Sequence, residues 1–377
     1  MLRRLYIHNY RCLQNFEFKP GDVSSALLIG KNGSGKSTLV QALKIVQAIG
    51  RGSNRVGQLV KARDLAFGRT DAPMRLELQA VLDGRIFDYT LALDLPDRFK
   101  ELRVLEEALA VDGEPVYSRE LAQVTLNRQN ASQPEARFNI DWHLVALPVI
   151  QDTSSTTPLG TFREWLARMV LLAPMPRLMR SETVDDTLEP EEDARNLADW
   201  LSGLLAHYPA AYAPLSAYLQ QVMPDLRDFR FERAGKEAKE LLVRFKAGNA
   251  QHELDFDALS DGEKCFFLCG VLLAANQSYG PLFAFWDEPD NYLSISEVSH
   301  FVTALRRGFH QGGGQIWMTS HNEEAVRRFS HDNTWVLGRK SHLEPTLIRP
   351  LAELGPETDV KALARVPAAH LEEVPIV

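Results

Sequence analysis

Gly30-Lys31-Asn32-Gly33-Ser34-Gly35-Lys36-Ser37 is built from residue types that suit the wrapping of a phosphate chain. Glycines let the backbone turn without a Cβ in the way, so successive amides and the start of a following helix can point at one anion. Gly30, Asn32, Gly33, Ser34 and Gly35 form the cradle, and Lys36 reaches the β and γ oxygens of ATP. Ser37 offers its hydroxyl to Mg2+, with Thr38 next on the helix. The run fits G-x-x-x-x-G-K-[ST] at every position. A second group of chemical residues lies far downstream. Leu282 to Trp286 is an apolar run that ends in Asp287-Glu288, as a buried parallel strand does when its C-terminal end faces a ligand. Asp287 is placed to hold the metal, and Glu288 to act as general base on the attacking water. His321 closes another short apolar strand, Gln315 to Ser320, and is a candidate to hydrogen-bond the γ-phosphate or the water.

The elements that must carry these groups are legible around them. Leu2 to Ile7 and Asn15 to Phe18 read as short strands, Ser24 to Gly30 as the strand feeding the glycine-rich turn, and Ser37 to Ala48 as the helix leaving it. Met74 to Leu82 and Arg85 to Leu93 flank Asp83-Gly84, a hairpin signal that predicts an antiparallel layer. Polar stretches at Asn127 to Ala136, Asp152 to Pro158 and Thr183 to Asp193 read as surface loops. From there to about Gln251 the pattern is mostly helical, clearest over Ala194 to Leu205 and Pro214 to Met223. Leu259-Ser260-Asp261-Gly262-Glu263-Lys264 opens one more helix. Ser260 is a sound N-cap with Glu263 completing a capping box, and the same geometry offers a hydroxyl, amides and a positive helix end to an anion.

In this order, the set resembles the ABC-type ATPase heads of the SMC/RecF class and, within them, the AAA-like ATPases related to overcoming-lysogenisation-defect (OLD) proteins. The Ile7-His8-Asn9-Tyr10-Arg11 strand and turn, the phosphate loop, the signature Leu259 to Lys264, Asp287-Glu288 and His321 carry the likeness. The resemblance implies an α/β P-loop NTPase fold, an ABC-ATPase head with an N-terminal antiparallel β layer and a helical insertion or lid. The expected division is 1–150 for the lobe with the phosphate loop and β layer, 151–250 for the helical insertion, and 251–377 for the signature, acid pair and histidine. The resemblance further implies a head-to-tail dimer on ATP, in which Ser260 and Gly262 contact the γ-phosphate held by the partner's Lys36, with Asp290 to Leu293 lying across the interface. Asp261 stands where many ABC proteins have glycine, and Ser294-Ile295 where relatives have His-Pro. A lobe-linking glutamine is not placed; Gln79 and Gln151 are both open. Arg11 is either a phosphate contact or a surface residue.

Composition bounds the rest. With 377 residues, 45% hydrophobic and 24% charged, the chain reads as globular, and its apolar runs are too short for the roughly 20 residues of a membrane span. The N-terminus lacks the pattern of a signal peptide, so a cytoplasmic location is expected. Three cysteines cannot form a closed disulfide set and read as structural thiols. The net charge of −8 confines any DNA surface to a local patch. Basic residues cluster at Arg55, Lys61, Arg63 and Arg69, at Arg177 and Arg180, and from Arg227 to Lys246, as a mixed-charge face or as a phosphate-tracking surface. No heptads separate Lys36 from Ser260, so long coiled-coil arms are not expected, and the stretch after His321 is short for a Toprim nuclease domain. The leading functional reading is an ATPase that gates a DNA-associated or antiphage response through a partner effector such as a nuclease or toxin. Alternatives are a RecF-like DNA-repair clamp and an ATP-held scaffold that sequesters a toxin.

Overall fold

The structure is a computed structural model that describes residues 1–127, 136–151 and 157–354. The polar stretches expected as loops near 127–136 and 152–158 lie largely outside the described residues. Two compact units divide the described residues: those within 1–169 together with those from 331 on, and those within 170–330.

The first unit starts with β1 (Leu2–His8), β2 (Phe16–Phe18), β3 (Ser25–Ile29) and helix α1 (Lys36–Gly50), with the short α2 (Val56–Leu59) after it. An antiparallel series follows: β4 (Met74–Leu82), β5 (Arg85–Asp94), β6 (Arg103–Val111), β7 (Glu114–Glu120), β8 (Gln123–Leu126) and β9 (Ala136–Asn139). These make an eight-stranded sheet in the order β2-β1-β4-β5-β6-β7-β8-β9, the antiparallel layer expected from sequence. Burial alternates strictly along β4, as a strand with one core face requires. The Asp83-Gly84 turn has φ +50° and +77°, and the β6–β7 turn repeats it at Asp112-Gly113 with +53° and +83°. Both central residues at positive φ match the strand twist, which is why Asp-Gly sits at each. Helix α3 (Pro158–Ala167) then packs on α1, closely enough that a Cβ on Gly50 would lie 2.5 Å from the Ala167 nitrogen.

The second unit contains β10 (Val170–Leu172), β11 (Glu182–Thr183), α4 (Leu197–His207) and α5 (Tyr212–Val222), then β12 (Leu226–Ala234), β13 (Ala238–Ala247) and β14 (Ala250–Asp255). Helix α6 (Asp261–Tyr279), β15 (Phe283–Trp286), α7 (Ile295–Gln311), β16 (Gln315–Thr319) and α8 (Glu323–Arg327) complete it. β10, β15 and β16 are parallel neighbours, and every residue of the three is buried. The segment 226–255 departs from the mostly helical expectation. It forms antiparallel strands, with Phe231 opposite Leu241 and Phe229 opposite Val243. Its Lys, Glu and Ala content favours helix locally, but a two-residue alternation and the turn at Gly235 (φ +84°) decide for a hairpin. The chain returns to the first unit as β17 (Thr334–Gly338), parallel to β3, and β18 (Leu347–Pro350), antiparallel to β17.

All three cysteines are buried and unpaired with one another, and burial pushes the thiols of Cys265 and Cys269 up to about 12. Among the described residues no helix is long and apolar enough to cross a membrane.

A buried charge organises the β layer. Glu107 on β6 is 0% exposed and accepts hydrogen bonds from the Tyr89 and Tyr117 hydroxyls and from the backbone amides of Ala146 (2.6 Å) and Leu147 (2.9 Å). Arg119, also buried, lies 3.7 Å away and donates to the carbonyls of Leu121, Asp141 and Leu144. Burial still raises the Glu107 carboxyl above the usual range, because desolvation outweighs these donors. The network ties the apolar 144–150 loop to the sheet. Glu107→Gln would set an amide N–H against a buried donor and leave Arg119 without its counter-charge, a loss of about 2 to 4 kcal/mol. The urea midpoint should fall accordingly; an unchanged midpoint would remove this network from the account of stability.

Candidate functional site

In the first unit, β3 delivers the chain into the phosphate loop and α1 leaves it. Gly30 has no room for a side chain: a Cβ there would fall 2.3 Å from the Leu337 carbonyl oxygen and 2.8 Å from Ser34 Oγ. Gly33 and Gly35 sit at φ +81° and +107°, and Gly35 is the N-cap of α1, so the loop's curvature rests on left-handed glycines. Lys36 is buried, and its Nζ donates to the carbonyls of Gly30 (2.6 Å) and Lys31 (3.3 Å), curling back over the loop. Asn32 and Ser37 are exposed, Thr38 is half-buried, and the Cys12 thiol lies 3.5 Å from Thr38 Oγ1. Among the described residues Ser34 Oγ is buried without a hydrogen-bond partner, which leaves a polar atom in the loop's interior for an incoming anionic group to satisfy.

The β17–β18 turn braces this loop, a contribution the motif does not reveal. Thr346, 1% exposed, donates from Oγ1 to the Ser34 carbonyl (2.8 Å), and its own amide donates to the Cys12 carbonyl (2.9 Å). Arg339 donates to the carbonyls of Ser341, His342 and Gly33. A pocket of about 510 Å3 opens beside Thr38, lined in part by Arg11, Arg63, Arg339 and His342. Arg11 itself pairs with Asp64 (3.0 Å) and Gln41. Gln79 lies within β4 and donates to Asp88, and Gln151 is exposed at the edge of the described residues.

In the second unit the structure brings Asp287, Glu288 and His321 together. The Asp287 amide donates to the Leu172 carbonyl (2.7 Å), which continues the parallel pairing one residue past β15. Its carboxylate accepts from Thr319 Oγ1. Glu288 takes a left-handed φ of +50°, unusual for a residue with a Cβ, and its amide donates to the same Thr319 Oγ1 at 2.9 Å. The half-buried Glu288 carboxylate meets His321 Nε2 at 3.2 Å and accepts from Asn291 Nδ2 at 2.7 Å. Asp290 accepts from Ser320, and burial raises its carboxyl above the usual range. Thr319 and Ser320 are thus part of the cluster although no motif names them, and Asn291 joins it from the loop expected at the dimer interface; polar residues ending a wholly buried strand were the available signal for the first two.

Ser260 caps α6 as its spacing predicts, accepting the Glu263 amide at 3.3 Å while Glu263 accepts the Ser260 amide at 2.8 Å. A Cβ on Gly262 would lie 3.1 Å from the Tyr292 carbonyl, so the signature glycine backs onto the loop that follows Glu288. Ser294 is the N-cap of α7 with a capping box to Glu297, and Ile295 beside it is 75% exposed. Many basic residues of the 227–246 stretch and its surroundings are paired: Arg230 with Glu232 and Glu253, Arg244 with Asp228 and Glu253, Lys239 with Asp186. Arg177 and Arg180 likewise face Asp261 and Asp257.

Residues 25–327 match a family model described as "AAA domain, putative AbiEii toxin, Type IV TA system", and the chain belongs to this family of AAA domains. Two solved structures share the fold. One is an SMC head bound to the C-winged helix domain of ScpA, at 13% identity and a TM-score of 0.55, covering 94% of this chain and 99% of that one. The other is the SMC head with an extended coiled coil, bound to the C-terminal domain of ScpA, from Pyrococcus furiosus, at 11% identity and 0.52, covering 93% and 97%. No curated protein sequence matches. The fold is that of an SMC-like, ABC-type ATPase head, a P-loop NTPase architecture with an antiparallel sheet, as the sequence motifs imply.

Because Thr346 holds the Ser34 carbonyl from outside the motif, Thr346→Val should loosen the loop and weaken ATP binding about tenfold, the equivalent of one buried hydrogen bond. Titration calorimetry checks this, and unchanged affinity would make the turn a bystander.

Proposed function

We propose that this chain binds and hydrolyses ATP, and that ATP draws two copies into a head-to-tail dimer whose closing and opening control an effector. The observation that carries the reading is the Glu288 carboxylate, held between His321 and Asn291 immediately after Asp287. The backbone of Gly30 to Lys36 and the helix end behind it receive the phosphates, and Lys36 exchanges its loop carbonyls for β and γ oxygens. Ser37 and Asp287 would hold Mg2+, which neutralises charge on those oxygens. Glu288 takes a proton from the attacking water, and His321 orients the same carboxylate and the γ-phosphate.

A γ-phosphate facing solvent on one side lacks donors there. The capped start of α6, with Ser260 and Gly262, supplies hydroxyl, amides and a positive helix end from a second copy. The exposed Tyr292 and Ile295 beside the signature give that contact an apolar rim. The family description supports a toxin–antitoxin setting, and the ScpA-bound SMC heads support a protein partner. The pairing of Arg230, Lys239 and Arg244 with acids weakens the alternative in which this stretch tracks DNA directly.

Glu288→Gln keeps the shape but removes the base, so ATP affinity should stay near wild type while turnover falls about 100-fold or more. Wild-type turnover in that variant would take Glu288 out of the chemistry. Lys36→Ala should lose ATP binding in calorimetry; retained affinity would mean that the loop is not the nucleotide site. Ser260→Arg should leave affinity for ATP intact and block dimerisation. A Ser260→Arg chain that stays monomeric and hydrolyses ATP normally would show the serine to be a helix cap and nothing more.

A further inference from the structure

We propose that Thr319 is a positioning residue for hydrolysis, one hydroxyl that sets both the rotamer of Asp287 and the backbone of Glu288. The inference rests on reading this cluster as an ATPase site. Thr319 is the last residue of β16 and is 0% exposed. The parallel register pairs Trp286 with Met318, so the hydroxyl stands where the ladder between β15 and β16 stops and the acids begin.

A threonine hydroxyl has one hydrogen and two lone pairs. Here the hydrogen goes to Asp287 Oδ1 and a lone pair receives the Glu288 amide at 2.9 Å. The donor is therefore committed to Asp287, and the carboxylate is held at the end of its strand. The acceptor does different work. Glu288 sits at φ +50°, a conformation that strains an L residue and persists only where the surroundings hold it. The hydrogen bond to Thr319 satisfies the amide in that conformation, which in turn aims the carboxylate at His321 and Asn291. Neighbouring ties do not duplicate it: Ser320 bonds Asp290, and the Asn322 amide bonds Ser320, but neither touches Glu288.

Removing the hydroxyl leaves the half-buried Glu288 amide without this acceptor and releases Glu288 toward ordinary φ values. A shift of about 1 Å in a reacting group lowers rate by up to about 100-fold. The phosphates are held elsewhere, so ATP binding measured without Mg2+ should not follow.

The test compares Thr319→Val, the isostere without the hydroxyl, with Thr319→Ser, which restores it. In Thr319→Val, kcat should fall about 10- to 100-fold with ATP affinity, by calorimetry without Mg2+, within about twofold of wild type, and Thr319→Ser should recover most of the rate. Hydrogen exchange of the Glu288 amide in nucleotide-free protein is a second readout, independent of turnover. It should accelerate about tenfold or more in the valine variant and stay protected in the serine variant. Wild-type kcat in Thr319→Val, or unchanged exchange at Glu288, would overturn the assignment. A wild-type chain that hydrolyses no ATP would count against the ATPase reading, while the exchange comparison would still judge the hydroxyl's hold on Glu288. If Thr319→Val fails to fold, Thr319→Ala carries the same two measurements.

Discussion

A loop that receives an anion on its own amides must keep those amides turned toward a ligand when none is bound, and this constraint organises much of the first unit. Left-handed Gly33 and Gly35 set the curvature, and Gly30 passes so close to Leu337 that no side chain fits. The bonds inside the loop, from Lys36 to Gly30 and Lys31 and from the Ser34 amide to Lys31, are few for a turn with two left-handed glycines. Residues from the far end of the sequence hold it as well. β17 pairs with β3, Thr346 grips the Ser34 carbonyl and Arg339 reaches Gly33. The return of the chain to its first unit after residue 330 therefore has a function: it supplies the strand and turn that brace the phosphate loop.

The acid cluster of the second unit shows the same economy of means. Parallel β15 and β16 end side by side, so whatever residues follow them are neighbours without further design. Asp287 and Glu288 follow one strand, Ser320 and His321 the other, and Thr319 joins them. The left-handed Glu288 is a local backbone cost held in place by its amide's bond to Thr319.

Local signals were legible in the sequence, and tertiary ones were not. The phosphate loop, Asp287-Glu288, His321 and the Ser260 cap are read from short-range spacing, because strand, turn and helix start impose that spacing on the chain itself. Asp83-Gly84 likewise announced its hairpin. Thr319, Thr346 and Arg339 carry no motif, since their partners lie up to hundreds of positions away. The 226–255 stretch was misread for a different reason. Its Glu, Lys and Ala favour a helix, yet burial of Phe229, Leu241 and Val243 on one face of a sheet prevails. Glu107 shows the limit from the other side: nothing in its neighbourhood marks a glutamate that will be wholly buried among tyrosines, an arginine and the 146–147 amides.

Completion of each site by a second copy is the central claim, and it has a signature that needs no variant. Phosphate release per chain from ATP and Mg2+ should rise with protein concentration and reach a plateau as dimers fill, with light scattering showing the dimer over the same range. Phosphate release per chain that is flat across that range, or absent throughout it, would contradict a shared ATPase site.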